Sequence, residues 1–266
     1  MSTPRPTHPT MAQIREVCQP PEIRSRKSAE HWVADVYLRD ISPYLTRVLL
    51  RTGISPNGVT VIMIVTGFAA GAVLLIPGIP GGFLAAFLGQ LQMLWDCCDG
   101  EVARWQQRSS PAGVFLDKVG HYTAEGSIPI FLGLRAAGWP GESSIVSYGT
   151  LLGLLLSVLV LYNKALNDMV HAARLANGLP KLPDSAGVGT PTRARVRNVR
   201  SLVRFFPFQR AFHSVELTLL AFLASIGDAI AGDLIVTRIL LLALVVLAVP
   251  AIIGHIVAIL TSKKLR

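Results

Sequence analysis

The sequence predicts an all-α integral membrane protein in which six transmembrane helices follow an N-terminal amphipathic interfacial helix. The mean hydropathy is +0.49, and only 15% of the 266 residues are charged, a combination that is unusual for soluble domains. Six apolar stretches approach the roughly 20 residues that cross a bilayer as a helix. They lie at about 58–76, 82–95, 128–134, 144–162, 212–231 and 236–261.

Residues 1–28 are predicted to form a flexible arm without any regular element. Prolines stand at positions 4, 6, 9, 20 and 21, and proline opposes helix interiors and central strands. The segment is polar, and the first apolar stretch begins only near Val59. We therefore expect no cleavable signal peptide and a cytoplasmic N-terminus.

Residues 29–52 are predicted to form an amphipathic helix at the membrane surface. Apolar side chains recur with a helical period, and Trp32 suits the level of the lipid headgroups. Ser42 and Pro43 are expected to divide this helix into two pieces. The periodic apolar residues are Val33, Tyr37, Ile41, Tyr44, Leu45, Val48 and Leu49.

Residues 53–266 are predicted to form a six-helix transmembrane domain. The sequence Ser55-Pro56-Asn57 supplies a capping side chain and a first-turn proline for the first span. A basic loop at about 172–211 separates the fourth and fifth spans. Its segment 193–212 is expected to run as a helix along the cytoplasmic surface.

The net charge of +9 is distributed in a way that predicts the orientation. Basic residues concentrate in 1–52, in the 172–211 loop and in the C-terminal tail. The loops at 77–82, 135–144 and 228–233 hold one basic residue and several acids. Because cytoplasmic loops are enriched in Lys and Arg, we expect a multi-pass protein with both termini in the cytoplasm. Membrane topology thus accounts for the charge, and no nucleic-acid partner is expected.

Three aspartates within otherwise apolar helices predict a divalent-metal site. Charged residues are costly inside a membrane, and those that occur there are usually functional. Asp96 and Asp99 share one face of a helix, and Asp117, His121 and Glu125 share one face of the next. Two antiparallel neighbours can direct these faces at each other. The converging carboxylates need a counter-charge, which Mg²⁺ or Mn²⁺ would supply.

Small residues on the same faces predict room for a ligand. Gly100 and Ala103 follow Asp99, and Gly113 lies one turn before Asp117. Close packing of membrane helices explains the small residues alone, but not the acids. A cation-coupled transporter is the alternative from another functional class. The acids cluster at one cytoplasmic helix junction rather than along a midplane path, which favours an enzyme.

The segment from Asp96 to His121 resembles the CDP-alcohol phosphotransferase signature D-x2-D-G-x2-A-R-x8-G-x3-D-x3-D. Seven of the eight fixed positions are present over a span of 26 residues, and the six-span pattern extends the resemblance over roughly residues 30–262. The resemblance implies that an acceptor hydroxyl attacks the β-phosphorus of a CDP-linked alcohol and releases CMP. The matching residues are Asp96, Asp99, Gly100, Ala103, Arg104, Gly113 and Asp117.

The same resemblance implies a role for each matching residue. Asp96, Asp99 and Asp117 would hold two divalent ions that bridge the donor diphosphate. Arg104 would meet a phosphate or anchor a carboxylate, and the small residues would leave room for the cytidine. The residues so implied to bind the nucleotide are Asn57, Thr60, Gly100, Ala103, Arg104 and Gly113. Helix capping also explains Asn57 and Thr60. A homodimer is likewise implied by the family alone.

His121 is the one departure from the signature, because it stands where the family has a fourth aspartate. A neutral imidazole can act as a metal ligand or as a general base. Glu125, one turn further, can orient the imidazole, act as the base itself or close a polar seam. An inactive relative is the competing interpretation, against which the seven intact positions count.

The acceptor is expected near the cytoplasmic end of the fourth span. Lys164, Asn167, Asp168 and His171 lie there, and where the basic loop reaches the site it favours a phosphorylated acceptor. Topology alone also explains a basic cytoplasmic loop.

The N-terminal segment through Arg-Thr-Gly-Ile-Ser-Pro-Asn at 51–57 resembles the inositol-phosphate-transferring branch of the family. The donor is either CDP-diacylglycerol or a CDP-linked polar head group.

Overall fold

The computed structural model describes residues 5–6, 8–24, 33–141, 145–180, 210–262 and 265. All regular elements in these ranges are helical, which confirms the predicted all-α class. Four short elements come first: α1 (Met11–Cys18), α2 (Pro21–Arg24), a π-helical turn (Ala34–Leu38) and α3 (Arg39–Thr52). Six long helices follow: α4 (Pro56–Ala72), α5 (Gly78–Gln106), α6 (Pro111–Ala137), α7 (Tyr148–Ala176), α8 (Ser214–Ala231) and α9 (Ile235–Thr261).

Four of the long helices are long and apolar enough to cross a bilayer. They are α4 with its 3-10 extension to Leu75, α7, α8 and α9. Helices α5 and α6 fall on the other two predicted stretches, but both carry several charged residues. The chain is therefore a helical membrane protein with four candidate spans in its described part. The crossing of the membrane by α5 and α6 stays a prediction.

The junction between α5 and α6 is short and tightly capped. Helix α5 ends at Gln106, and the next residue, Gln107, adopts the left-handed conformation with φ of 55°. Helix α6 begins at Pro111, after Ser110 has accepted a hydrogen bond from the amide of Gly113 at 3.1 Å. Only a few residues separate the two helices. The two halves of the signature, Asp96 to Arg104 on α5 and Gly113 to His121 on α6, therefore lie at one end of the bundle.

The N-terminal segment is ordered as a helix, so the prediction of an arm without regular structure is wrong for residues 11–18 and 21–24. Thr10 and Gln13 form a capping box that starts α1. Ile14 and Cys18 are fully buried and pack in one cluster with Trp105 of α5. The prolines stand before and after α1 rather than inside it, and for this reason they do not prevent it.

The predicted break at Ser42 and Pro43 is also wrong, because α3 runs without interruption from Arg39 to Thr52. A proline inside a helix leaves the carbonyl four residues earlier without its amide donor. Here that carbonyl belongs to Arg39, and it accepts a hydrogen bond from the side-chain amide of Gln19 at 2.6 Å. The missing intrahelical bond is thus replaced, and the helix continues.

The long helices pack closely where small residues face each other. A methyl group built on Gly133 of α6 would lie 2.7 Å from the Cα of Gly153 on α7. A methyl group on Gly82 of α5 would lie 2.3 Å from the hydroxyl of Ser225 on α8. Small residues let the helices approach this closely, and these contacts fix α6 against α7 and α5 against α8. The predicted 172–211 loop lies mostly outside the described residues, which resume with a 3-10 turn at Arg210–Phe212.

Candidate functional site

The two halves of the signature meet at one group of side chains. Asp96 of α5 faces Asp117 and His121 of α6, and one donor atom from each lies within 4.8 Å of the others. His121 Nε2 is 3.1 Å from Asp96 Oδ1 and 3.6 Å from Asp117 Oδ1. The four-residue spacing of Asp117 and His121 places both on one face of α6. The structure thus brings together three of the four predicted metal ligands.

This group is open enough for a solute to reach it. The exposed fractions of the side chains are 23% for Asp96, 40% for Asp117 and 20% for His121. Two carboxylates and one imidazole form a donor set that suits a divalent cation. The arrangement can therefore hold a metal ion and present it to a ligand from the open side.

Asp99, the fourth predicted ligand, faces a different helix. Its Oδ2 accepts a hydrogen bond from Thr60 Oγ1 of α4 at 2.8 Å, and the same hydroxyl lies 3.1 Å from the carbonyl of Pro56. Asp99 is absent from the three-residue group defined above. Helix α4 therefore contributes Thr60 to the site by fixing one of its carboxylates.

The small residues of the signature lie against polar side chains. A methyl group on Gly113 would lie 3.2 Å from Asn57 Oδ1, and one on Gly100 would lie 3.1 Å from Arg104 Nη1. Ala103 is half-buried on the same face of α5. Glycine at these positions leaves space beside an amide and a guanidinium, two groups that can bind a nucleotide.

Arg104 is held from the N-terminal side of the chain. Its Nε donates to the carbonyl of Cys18, the last residue of α1, at 2.7 Å. The side chain therefore has a fixed course beside Gly100. The sequence did not predict this contact, because residues 1–28 were expected to be unstructured.

Glu125 is buried in an ion-paired cluster. It is 3% exposed, and its carboxylate lies 2.9 Å from Lys164 Nζ of α7 and 3.1 Å from His213 Nδ1 at the start of α8. Of the three predicted roles, this environment favours the polar seam. A carboxylate with these partners is a poor proton acceptor, because protonation would remove the negative charge that balances Lys164.

One further predicted acceptor residue, Asp168, lies close to this cluster. Asp168 of α7 accepts a hydrogen bond from the hydroxyl of Tyr122 at 2.9 Å and pairs with Lys118 of α6. Lys164 Nζ also lies 5.7 Å from the centre of the Tyr122 ring. Asn167 and His171 lie on the same stretch of α7, whereas the 193–209 part of the basic loop is outside the described residues.

Glu101 is the residue that the sequence-based interpretation missed. It occupies the variable position directly after Gly100 in the signature, is 1% exposed, and accepts hydrogen bonds from three side chains. An acid in an otherwise apolar helix was a sufficient signal to single it out. The signature drew attention to the fixed positions instead.

Comparison with known proteins agrees with the geometry. Residues 53–187 match the model of the CDP-alcohol phosphatidyltransferase family. The chain is also 34% identical over 125 residues to the bifunctional IPC transferase and DIPP synthase of Thermococcus kodakarensis. It is 30% identical over 144 residues to the phosphatidylinositol phosphate synthase of Streptomyces avermitilis.

These relatives are matched only in part. The first alignment covers 47% of this chain and 27% of the relative, and the second covers 54% of this chain and 57% of the relative. The region matched by the family model contains the whole segment from Asp96 to His121. The similarity therefore concerns the helices that build the site.

Proposed function

This chain belongs to the CDP-alcohol phosphatidyltransferase family, and from that premise we propose that it transfers a phospho-alcohol group from a CDP-linked donor to a hydroxyl acceptor. CMP is the leaving group. The observation that carries the proposal is the group of Asp96, Asp117 and His121, whose donor atoms lie within 4.8 Å of one another. A divalent cation held by these side chains would neutralise the charge of the phosphate groups that react.

The residues present fit a divalent cation, Mg²⁺ or Mn²⁺. Their oxygen and nitrogen donors are of the kinds that these ions accept, and their partial exposure leaves the site open to a diphosphate. A bound ion would neutralise the diphosphate and the departing CMP. We propose that Asp99, fixed by Thr60, contributes to a second ion next to the first group.

We propose that His121 is a metal ligand. Its Nε2 is directed at Asp96 and Asp117 together, at 3.1 and 3.6 Å, which is the placement expected of a third ligand. If His121 acted as the general base, the same Nε2 lone pair would have to accept the proton of the acceptor hydroxyl. The two roles therefore exclude each other at that nitrogen, and experiments can separate them.

The nucleotide is proposed to bind beside the small residues. Gly100 and Gly113 leave space next to Arg104 and Asn57. The guanidinium of Arg104 can pair with a phosphate, and the Asn57 amide can bind the base or ribose. Ala103, on the same face of α5, would leave further room for the cytidine.

The acceptor is proposed to bind on the side of α7. Lys118 and Lys164 bring positive charge to this side, and Glu125 and Asp168 hold them in place. Two ammonium groups next to a phosphotransfer site favour a phosphorylated acceptor. The names of the two matched relatives, an IPC transferase and a phosphatidylinositol phosphate synthase, agree with a polyol phosphate.

We further propose that the site faces the cytoplasm and that the protein is a homodimer. The concentration of basic residues in 1–52 and 172–211 supports the orientation. Exposed apolar residues along α3, Ile41, Tyr44 and Val48, support a place at the membrane surface. The dimer rests on the family alone.

The experiment is a CMP-release assay with the purified protein. CDP-diacylglycerol and CDP-linked polar head groups would each be offered with free and phosphorylated polyols. We expect that one donor class releases CMP, that the release requires an acceptor, and that EDTA abolishes it. A folded protein that releases no CMP from any pair would refute the transfer activity and favour an inactive relative.

A further inference from the structure

Glu101 lies inside the signature but faces away from the reacting groups. It follows Asp99 by two residues, a rotation of about 200° around an α-helix. It is 1% exposed, so it contacts neither solvent nor the open site. Its carboxylate therefore interacts with other parts of the protein and not with a ligand.

Three side chains donate hydrogen bonds to this carboxylate. Glu101 Oε1 accepts from Gln19 Nε2 at 2.7 Å and from Ser42 Oγ at 2.6 Å. Oε2 accepts from Thr46 Oγ1 at 2.6 Å. Gln19 follows α1, and the two hydroxyls belong to α3, so one carboxylate connects three parts of the chain. Buried carboxylates need such donors, since removing one leaves a costly unsatisfied group.

The connection through Gln19 leads directly to Arg104. Cys18, the residue before Gln19, accepts a hydrogen bond from Arg104 Nε at its carbonyl, at 2.7 Å. The thiol of Cys18 lies 3.3 Å from the carbonyl of Glu101 and donates to it. Residues 18 and 19 are therefore bound to Glu101 and to Arg104, which lie one helical turn apart on α5.

A second set of contacts fastens the start of this segment to the same turn. Arg5 donates to the carbonyl of Trp105 at 3.0 Å, and its guanidinium lies 5.6 Å from the centre of the Trp105 ring. Trp105 Nε1 donates to the carbonyl of Pro6 at 3.3 Å. The N-terminal segment thus forms a brace along the end of α5.

We propose that Glu101 is a positioning residue that locks the N-terminal brace, residues 5–6 and 8–19, against α5 and thereby holds Arg104 beside Gly100. The catalytic consequence rests on the proposed function, in which Arg104 meets a phosphate of the donor. The mechanical part, the docking of the brace, does not depend on that function. The two parts have separate tests.

The docking is tested by the accessibility of Cys18. The thiol is fully buried, and burial raises its pKa to about 12, so it should resist alkylation by a maleimide at neutral pH. Glu101→Gln places an amide where a carboxylate received three donors. Gln19→Met removes the link from Glu101 to the brace, together with the hydrogen bond from Gln19 to the Arg39 carbonyl, and leaves the bonds from Ser42 and Thr46 to the carboxylate in place. In both variants we expect Cys18 to be alkylated at least about tenfold faster, as judged by peptide mapping.

Thr46→Val is the matched control, because it removes a hydrogen bond from the same carboxylate but none from the brace. We expect Cys18 to stay protected in this variant. Protection of Cys18 in both Glu101→Gln and Gln19→Met would overturn the docking. Equal labelling in Thr46→Val would also overturn it, since it would indicate a general loosening.

The catalytic part is tested by a double-mutant cycle with Arg104→Ala. If Glu101 acts through Arg104, Glu101→Gln raises the KM for the CDP-linked donor in the wild-type background and changes nothing further in Arg104→Ala. Additive losses would overturn this part. Absence of CMP release from the wild type would instead refute the proposed function, while the alkylation result would still decide whether the brace is docked.

Discussion

His121 Nε2 lies 3.1 Å from Asp96 Oδ1 on the neighbouring helix, so the one residue that departs from the family signature faces the first carboxylate of that signature. A fourth aspartate in this place would add a negative charge to the group. An imidazole adds a nitrogen donor without charge. This difference leads to a prediction about the metal.

We predict that His121→Asp lowers the preference for Mn²⁺ over Mg²⁺. Nitrogen donors suit Mn²⁺ better than Mg²⁺, which prefers oxygen. The measurement is the dissociation constant of each ion, from Mn²⁺ electron paramagnetic resonance with Mg²⁺ as competitor. We expect the ratio of the two constants to move toward Mg²⁺ in the variant.

The competing role of His121 as base gives a different result. His121→Ala would then lose roughly 10² to 10⁴ in CMP-release rate with unchanged affinity for Mn²⁺. On the ligand account the affinity falls, and higher Mn²⁺ restores part of the rate. An unchanged dissociation constant in His121→Ala would therefore contradict the ligand role.

For Glu125 we predict a loss of stability. The side chain of Lys164 is 18% exposed, and its ammonium lies 2.9 Å from the Glu125 carboxylate. Removing one partner of a buried ion pair typically costs about 3–5 kcal/mol of stability. Glu125→Gln should therefore unfold at a lower denaturant concentration in detergent. The double variant with Lys164→Met should recover part of the loss, because no unpaired charge remains.

A fully stable Glu125→Gln protein that releases no CMP would contradict this prediction. That result would make Glu125 the general base, a role that its ion pairs with Lys164 and His213 argue against.

Much of this arrangement follows from the sequence, and the rest depends on contacts between distant segments. Asp96, Asp117 and His121 could be predicted to meet, because helical spacing puts them on facing surfaces of consecutive helices. Helix α1 could not be predicted, because it is stabilised by the burial of Ile14 and Cys18 against α5, which is a tertiary contact. Continuity of α3 through Pro43 likewise depends on Gln19, which is 24 positions away in the chain.

We predict that Gly133→Leu destabilises the bundle and that Gly254→Leu does not. A side chain at Gly133 would overlap with Gly153 of α7. Beyond the adjoining backbone of its own helix, no atom of the described residues lies within 4 Å of a methyl group at Gly254. Overpacking costs typically about 1–3 kcal/mol. Thermal unfolding in the same detergent would compare the two variants. Equal melting temperatures would contradict the close contact of α6 and α7.

The orientation is tested by labelling introduced cysteines in intact cells. We predict that Ser143→Cys, between α6 and α7, reacts with a membrane-impermeant maleimide from outside, and that Ser185→Cys in the basic loop does not. Permeabilised cells provide the control, in which both should react. Labelling of Ser185→Cys alone in intact cells would require the opposite orientation.

The central claim is that the Asp96 group binds a metal ion that the transfer needs, and the most direct measurement is Mn²⁺ binding by Asp96→Asn. The matched control is Asp228→Asn, because Asp228 is another aspartate of a long helix, but it is buried and accepts hydrogen bonds from Thr237 at the start of α9. We predict that Asp96→Asn weakens Mn²⁺ binding at least about tenfold and abolishes CMP release, while Asp228→Asn retains both. Wild-type Mn²⁺ affinity in a folded Asp96→Asn protein would contradict the account.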